Sequence, residues 1–427
     1  MDPGESKVDA GFSRHAPASP AIYGNWQIRL NSWPRKLIAI ALVLVTCGTL
    51  LYRTWWLFLA AWITRAHTSE PAIYERATKY DPHNADYHFV LGHIYNYSTQ
   101  YLNLVRAGEE YEAAVQLNPY RSAYWLELSK YYEQTGNVER SRYAMKMALE
   151  HDPNYAQTHW AAANLYVRLN DLKFGDFELR RTADLDVAYL TQVLDLVWHF
   201  YEDPARIMST HVPNTKQANL VALNYFVSQK TETGAALAWS KLKTFVTEIP
   251  ERFPYVEYLV SLRKPGDAWN VFMFPATEFP GRIFNPSFET EPMNGGFDWR
   301  FVSTEHAEAR RDMTTAKTGI ASWRVTFDGK ENVDYGGLAH WIPVTKGRQY
   351  KLTFWMKTEA ISTNEGMFVE IDGQASEKQV GTTYWQQLTI PFTAGSDLVT
   401  IRLRRVPSKK FDNLLKGKVW LDEFALN

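Results

Sequence analysis

The sequence predicts a multidomain chain: a single N-terminal transmembrane helix, then an all-α solenoid of repeated hairpins, then a C-terminal all-β sandwich. Three observations predict it. An apolar run begins at Leu37; prolines preceded by acidic or amide residues recur at a nearly constant interval after it; and beyond Pro275 the helical period gives way to alternation. The chain's 427 residues exceed what one ordinary hydrophobic core accommodates, so several folded units are expected.

The apolar run from Leu37 to Tyr52 reads LIAIALVLVTCGTLLY. Sixteen helical residues span roughly 24 Å, short of the roughly 30 Å hydrocarbon core. The stretch resumes after Arg53 as TWWLFLAAWIT, so a helix over 37–62 is long enough, with Arg53 reaching for an interface and Tyr52, Trp55 and Trp56 in the aromatic belt. Residues 1–36 are polar and aperiodic and read as a disordered tail. Arg29, Arg35 and Lys36 flank the run on its N-terminal side, which predicts a cytoplasmic N-terminus and an extracytoplasmic bulk. A buried core helix and a cleaved signal peptide are the alternatives; the Trp-rich edge and the long preceding tail count against them.

Net charge is −1 with no basic block, which argues against a nucleic-acid partner. The single cysteine, Cys47, lies in the apolar run, so a disulfide framework, a zinc cluster and a CxxC redox motif are excluded.

In the second region, Asp81-Pro82, Asn118-Pro119 and Asp152-Pro153 are separated by 37 and 34 residues. After Pro82 come Leu91, Gly92 and Tyr95; after Pro119 come Trp125, Leu128, Tyr132 and Gly136; after Pro153, Ala162, Ala163 and Tyr166 take the matching places. Ala107, Ala114 and Ala148 fall where small residues let helices approach. The period and these positions resemble a degenerate tetratricopeptide array, which implies four to six antiparallel helix pairs over 68–272 and a groove that binds a peptide or protein. A spacer with no partner is the alternative. His88 and His159 sit at first-helix packing positions and read as packing residues. Asn96-Tyr97-Ser98 matches a glycosylation acceptor, a pattern common by chance.

Over 280–427, SWRVTF, YKLTFWM, MFVEID, WQQLTIPF, LVTIRLRRV and KVWLDEFAL alternate between turn-rich connections, the signature of an antiparallel sandwich. RIFNPSFE (282–289) followed by Gly295, Gly296 and Trp299 resembles the opening strand of carbohydrate-binding jelly-roll modules; KVWLDEFAL resembles their closing strand and QYKLTFWMKTE their central one. The likeness extends to the galactose-binding-like fold generally, whose members include modules that bind no sugar. Alternation places Tyr350, Leu352, Phe354, Met356, Leu388, Ile390, Phe392, Val399, Ile401 and Leu403 inside. It turns outward Trp355, Trp385, Lys351, Gln387, Arg402, Arg404 and Glu370, a mixture of flat rings and hydrogen-bonding groups suited to a glycan, and to an acidic one given the basic residues. The competing reading has these tryptophans covering the sandwich against the helical region. Trp299, Trp323, Trp341 and Trp420 read as core. The resemblance also implies a structural calcium ion, for which Glu289 and Asp422 match the places of ligands.

HExxH, GxSxG, Walker A and GxGxxG are all absent from the sequence, and no recognisable carboxylate pair stands out, so a non-catalytic protein is expected. The domain combination suggests a scaffold at a bacterial inner membrane acting in polysaccharide assembly or export. An adaptor that binds proteins alone, and a glycan-active enzyme, are the rival readings.

Overall fold

The computed structural model describes residues 32–66, 69–276 and 283–427; most of the expected tail, with Arg29, lies outside them, as does Arg282. The chain divides into two compact units, Met1–Ala144 and Met145–Asn427.

In the first unit α1 (Trp33–Thr64) starts on Ser32 with Pro34 in its first turn, and is long and apolar enough to cross a membrane. Its threonines are compatible with lipid: Thr46 and Thr54 donate to the carbonyls of Leu42 and Leu50 at 2.6 and 2.8 Å, so these hydroxyls are satisfied within the helix. Trp56 packs on Tyr80 of α2 (Pro71–Tyr80), with ring centres 4.8 Å apart. There follow α3 (Ala85–Tyr97), α4 (Leu104–Leu117) and α5 (Ser122–Gln134), then α6 (Val138–His151), which crosses the division between the units. Asn84 and Asn103 cap α3 and α4, each accepting a backbone N–H with its side-chain oxygen. Gly92 lets α3 approach α4 closely: a methyl group there would come within 2.7 Å of the Tyr111 ring.

The second unit continues with α7 (Ala156–Arg168), α8 (Leu172–Leu185), α9 (Leu190–Tyr201), α10 (Pro204–Thr210), α11 (Lys216–Ser228), α12 (Glu232–Leu242), α13 (Phe253–Ser261) and α14 (Pro265–Met273). From α3 to α14 the helices succeed one another as six pairs, at the upper end of the expected number. Four pairs turn in the same way. Gly136, Asn170, Lys230 and Arg263 all take positive φ, and the next residue's N–H returns to the first helix, as Asn137 to Tyr132 and Lys264 to Leu259. Only one of the four is a glycine.

The sandwich comprises β1 (Arg300–Phe301), β2 (Ala307–Asp312), β3 (Ser322–Asp328), β4 (Tyr335–Pro343), β5 (Gln349–Ile361), β6 (Phe368–Ile371), β7 (Gln374–Ala375), β8 (Gly381–Thr393), β9 (Leu398–Arg405) and β10 (Lys416–Leu426). They form two antiparallel five-stranded sheets, β1-β4-β9-β6-β7 and β2-β3-β10-β5-β8, in the jelly-roll manner expected. The predicted inward residues of β5, β8 and β9 do line the core between them. The segment expected to open the sandwich as a strand is irregular where it is described. Asn285 and Phe288 have positive φ, Pro286 offers no N–H, and the Asn285 side chain closes a turn by bonding both the N–H and the carbonyl of Thr290. Ile283 and Phe288 still reach the core.

The sandwich packs directly on the last helices. Phe297, Phe284, Met293 and Trp341 join the apolar cluster of the helices, so α13, α14 and the outer side of β4 share one core. The buried guanidinium of Arg252 ties the end of α14 down, donating to the carbonyls of Phe272 at 2.9 Å and Phe274 at 2.5 Å.

Candidate functional site

The expected outward residues fall on two opposite faces. Trp355 and Lys351 of β5 and Gln387 of β8 lie on the outer face of the β2-β3-β10-β5-β8 sheet, where Trp355 is the direct cross-strand partner of Gln387. Arg402, Arg404 and Glu370 lie on β9 and β6, on the outer face of the other sheet. There Glu370 and Asp334 flank Arg404 at 3.6 and 3.8 Å, while Arg402 is exposed. Alternation is right along each strand, but it does not say to which sheet a strand belongs, and the seven residues do not form one surface.

Trp385 sits in a bulge. Met356 pairs with Gln386 and Thr358 with Thr383, so Lys357 faces two residues of β8, Tyr384 and Trp385. Tyr384 is fully displayed to solvent and Trp385 is half-buried.

The Trp355 face is partly roofed by the connection 313–321. Lys317 places its ammonium 4.2 Å from the Trp355 ring centre. Two carboxylates fix that roof. Asp422, which pairs across the strands with Trp355, accepts the N–H groups of Lys317 and Thr318 at 2.7 and 3.0 Å. Glu289 accepts the N–H of Ile320 at 3.1 Å and that of Ala321 at 3.4 Å. Burial pushes the Asp422 carboxyl above its ordinary range against the pull of those amides, and the nearby Glu289 charge adds to the rise. These are the two residues to which the family resemblance assigns calcium. Amide hydrogens aimed at both carboxylates suit a closed loop, and a cation that needs six to eight oxygens is not matched by them. Among the described residues no group of three or more His, Cys, Asp and Glu side chains is placed to hold a metal.

Trp299 and Trp323 belong to the core between the sheets, as expected, whereas Trp420 and Trp341 do not. Trp420 is buried on the outer face beside Trp355. Its indole N–H donates to Asp312 at 2.8 Å, and Lys357 lies 5.0 Å from its ring centre. Burial alone would raise the Asp312 carboxyl; bonds from Thr314 and Trp420, with the Arg324 charge, hold it down at about 2. Trp341 faces away from the core, under α14 and Phe297. Beyond Trp355, Lys351 lines an open polar cleft of about 610 Å³ with Gln349, Gln374, Thr393 and Asn427.

In the helical region the two expected packing histidines hold their hairpins by hydrogen bonds. His88 and His159 reach back to the carbonyls of Pro82 and Pro153 at 3.4 and 3.0 Å, and Trp125 does the same to Pro119 at 2.6 Å. The other ring nitrogens of the histidines meet Glu110 at 2.7 Å and Glu178 at 2.5 Å. A second repeated group is announced by no motif: Tyr95, Tyr132 and Tyr201 each bond an acidic residue (Glu75, Glu112, Asp176) while an arginine (Arg106, Arg140, Arg206) lies over the ring. The equal spacing of Glu75 to Tyr95 and Glu112 to Tyr132 was the available signal. Asn96 of the glycosylation triplet is buried, only 4 % exposed, and is no acceptor in the folded chain.

No known family profile matches the chain, and no curated protein matches it. Among solved structures, the sandwich is similar to a family-61 carbohydrate-binding module (TmCBM61) in complex with β-1,4-galactotriose, at 15 % identity over 35 % of this chain and 99 % of that one, TM-score 0.26. It is also similar to the CBM22-1 xylan-binding domain of Paenibacillus barcinonensis Xyn10C, at 17 % identity over 33 % and 90 %, TM-score 0.24. The helical region is similar to YrrB, a tetratricopeptide protein with an unusual peptide-binding site, at 11 % identity over 48 % and 90 %, TM-score 0.26.

Proposed function

We propose that this chain is a membrane-anchored, non-catalytic scaffold whose helical repeats hold a protein partner and whose sandwich holds an acidic glycan. One observation carries the glycan part. Trp355 and Gln387 form an outward cross-strand pair, with Lys351 further along β5, Lys357 beside Trp420, and Lys317 over the ring. A flat ring stacks on the C–H face of a sugar, an amide meets its hydroxyls, and ammonium groups meet a uronate carboxylate. The carboxylates beneath this face, Asp312 and Asp422, are both turned to N–H donors, an arrangement that fits binding rather than general acid-base work. The anchor reading rests on the length and apolarity of α1. A place in polysaccharide assembly or export at a bacterial inner membrane, with the N-terminus cytoplasmic, is the setting that suits an anchored glycan-holding scaffold.

The test uses the full chain in phosphatidylcholine nanodiscs, titrated with uronic-acid and neutral oligosaccharides. Binding of the acidic set is expected, lost in Trp355→Ala and kept in Arg402→Ala/Arg404→Ala. Binding that survives Trp355→Ala but not the arginine double variant moves the site to the other sheet, and no binding of either set removes the glycan reading. An adaptor without sugar is the second reading. It is favoured by Lys317, which already covers the ring that a sugar would use.

A further inference from the structure

The connection between β9 and β10 displays an aromatic side chain with nothing over it. Phe411 is 106 % exposed, more than in an extended peptide, and Val406 and Leu414 are 38 % and 48 % exposed on the same connection. A large apolar ring held wholly in water forgoes the roughly 2–3 kcal/mol that burial would supply, which is available to a partner that covers it. Lys409 and Lys410 precede it, both exposed and neither in an ion pair among the described residues; Asp412 follows.

This connection is built to hold its shape. Arg405, fully buried, donates to the side-chain oxygen of Asn332 at 2.6 Å, the carbonyl of Val333 at 2.5 Å and the carbonyl of Asn413 at 3.4 Å, bracing both ends. Ser408 is buried within it: its N–H meets Asn332 at 2.9 Å, its hydroxyl meets Asn364 at 2.7 Å, and the same hydroxyl accepts the N–H of Lys410. The lysines and Phe411 thus project from a fixed base, so little ordering entropy remains to be lost on docking.

We propose that Lys409, Lys410 and Phe411 form a docking spike for an anionic lipid bilayer. The two ammonium groups answer acidic headgroups, and the ring enters the acyl boundary just beyond them, the depth order that an interface presents. A chain with a helix suited to a membrane has such a surface within its compartment. The proposal is independent of the glycan site, since none of its residues lies on the Trp355 face.

The experiment labels Phe411→Cys, in a Cys47→Ser background, with an apolar environment-sensitive dye that stands in for the ring. The full chain is held in phosphatidylcholine nanodiscs and mixed with phosphatidylglycerol or phosphatidylcholine liposomes. A blue shift is expected with phosphatidylglycerol liposomes and little with phosphatidylcholine ones. In co-flotation of the unlabelled protein, Phe411→Ala and Lys409→Glu/Lys410→Glu are each expected to weaken binding by about tenfold or more, with unchanged circular dichroism. A dye that stays in water with every lipid overturns the proposal and leaves a protein as the occupant, and so does a shift that the charge reversal leaves intact.

Discussion

The guanidinium of Arg300 lies 3.4 Å from the centre of the Trp341 ring and reaches Glu257 of α13 at 3.2 Å. One arginine of the first strand thereby joins the outer face of β4 to the last helical pair. Burial holds the Arg300 guanidinium below its ordinary pKa, against the pull of Glu257; a guanidinium nevertheless stays charged in proteins, so the stacked charge is permanent. Replacing Arg300 with alanine is expected to destabilise the second unit by about 1–2 kcal/mol, from the stacking it loses. Glu257→Ala is expected to cost no more than about 0.5 kcal/mol, because that carboxylate is half exposed. Urea unfolding of the two variants measures the difference, and equal losses would refute the ranking.

A related expectation concerns where the protein can be cut. A fragment of 283–427 uncovers Trp341, Phe284 and Phe297, whereas one of 245–427 keeps α13 and α14 over them. The longer fragment is expected to be monomeric and the shorter to self-associate, which sedimentation velocity reads directly.

Lys317 can be tested apart from Trp355. Lys317→Ala uncovers the ring and removes a charge, so affinity is expected to rise for neutral oligosaccharides and fall for uronate-bearing ones, by about threefold or more each. A uniform change in both classes would show that the lysine acts only on loop shape.

Acid is expected to act oppositely at two histidines, His340 in the second unit and His88 in the first. Burial drives the His340 imidazole down to about 3, so it stays neutral in the native state while the unfolded chain takes a proton. That stability is present above about pH 6.5 and is lost as pH falls, by about 2 kcal/mol near pH 5. His88 runs the other way. Its bond to Glu110 raises it, so its contribution is full below about pH 6.5 and fades as pH rises through the folded value. Chemical denaturation followed separately by hydrogen exchange in the two units, at pH 5 and pH 8, checks both signs; His340→Gln should reduce the acid loss of the second unit and leave the first unit unchanged.

Gly92→Ala offers a sharp test of helix packing. Alanine is the better helix former by about 1 kcal/mol, but its methyl group would meet the Tyr111 ring at 2.7 Å. Destabilisation of about 1–3 kcal/mol is expected on thermal unfolding, and a gain in stability would show that the ring moves aside.

The proline interval near 34 residues made the hairpins legible, because each proline follows a helix end that it cannot continue. What blurred the later pairs is also visible: Asn170, Lys230 and Arg263 adopt the left-handed turn that Gly136 announces, so the composition of the turn is not conspicuous where its geometry persists. Along a strand, alternation separated core from surface for β5, β8 and β9. It could not assign Arg402 and Arg404 to a different sheet from Trp355, since pairing between distant strands leaves no mark on local period. The bulge at Tyr384 and Trp385 interrupts that period, and the roof of 313–321 carries no pattern at all. Its hold comes from Glu289 and Asp422 through backbone amides, which any sequence supplies.

The shared core of α13, α14 and β4 has a mechanical consequence. A tug on anything held at the Trp355 face passes into the neighbouring helices through close-packed rings and the Arg300–Glu257 pair. The sandwich works as the stiff end of a lever, and a load on it is felt by the helical pairs of the same unit rather than dissipated at a joint.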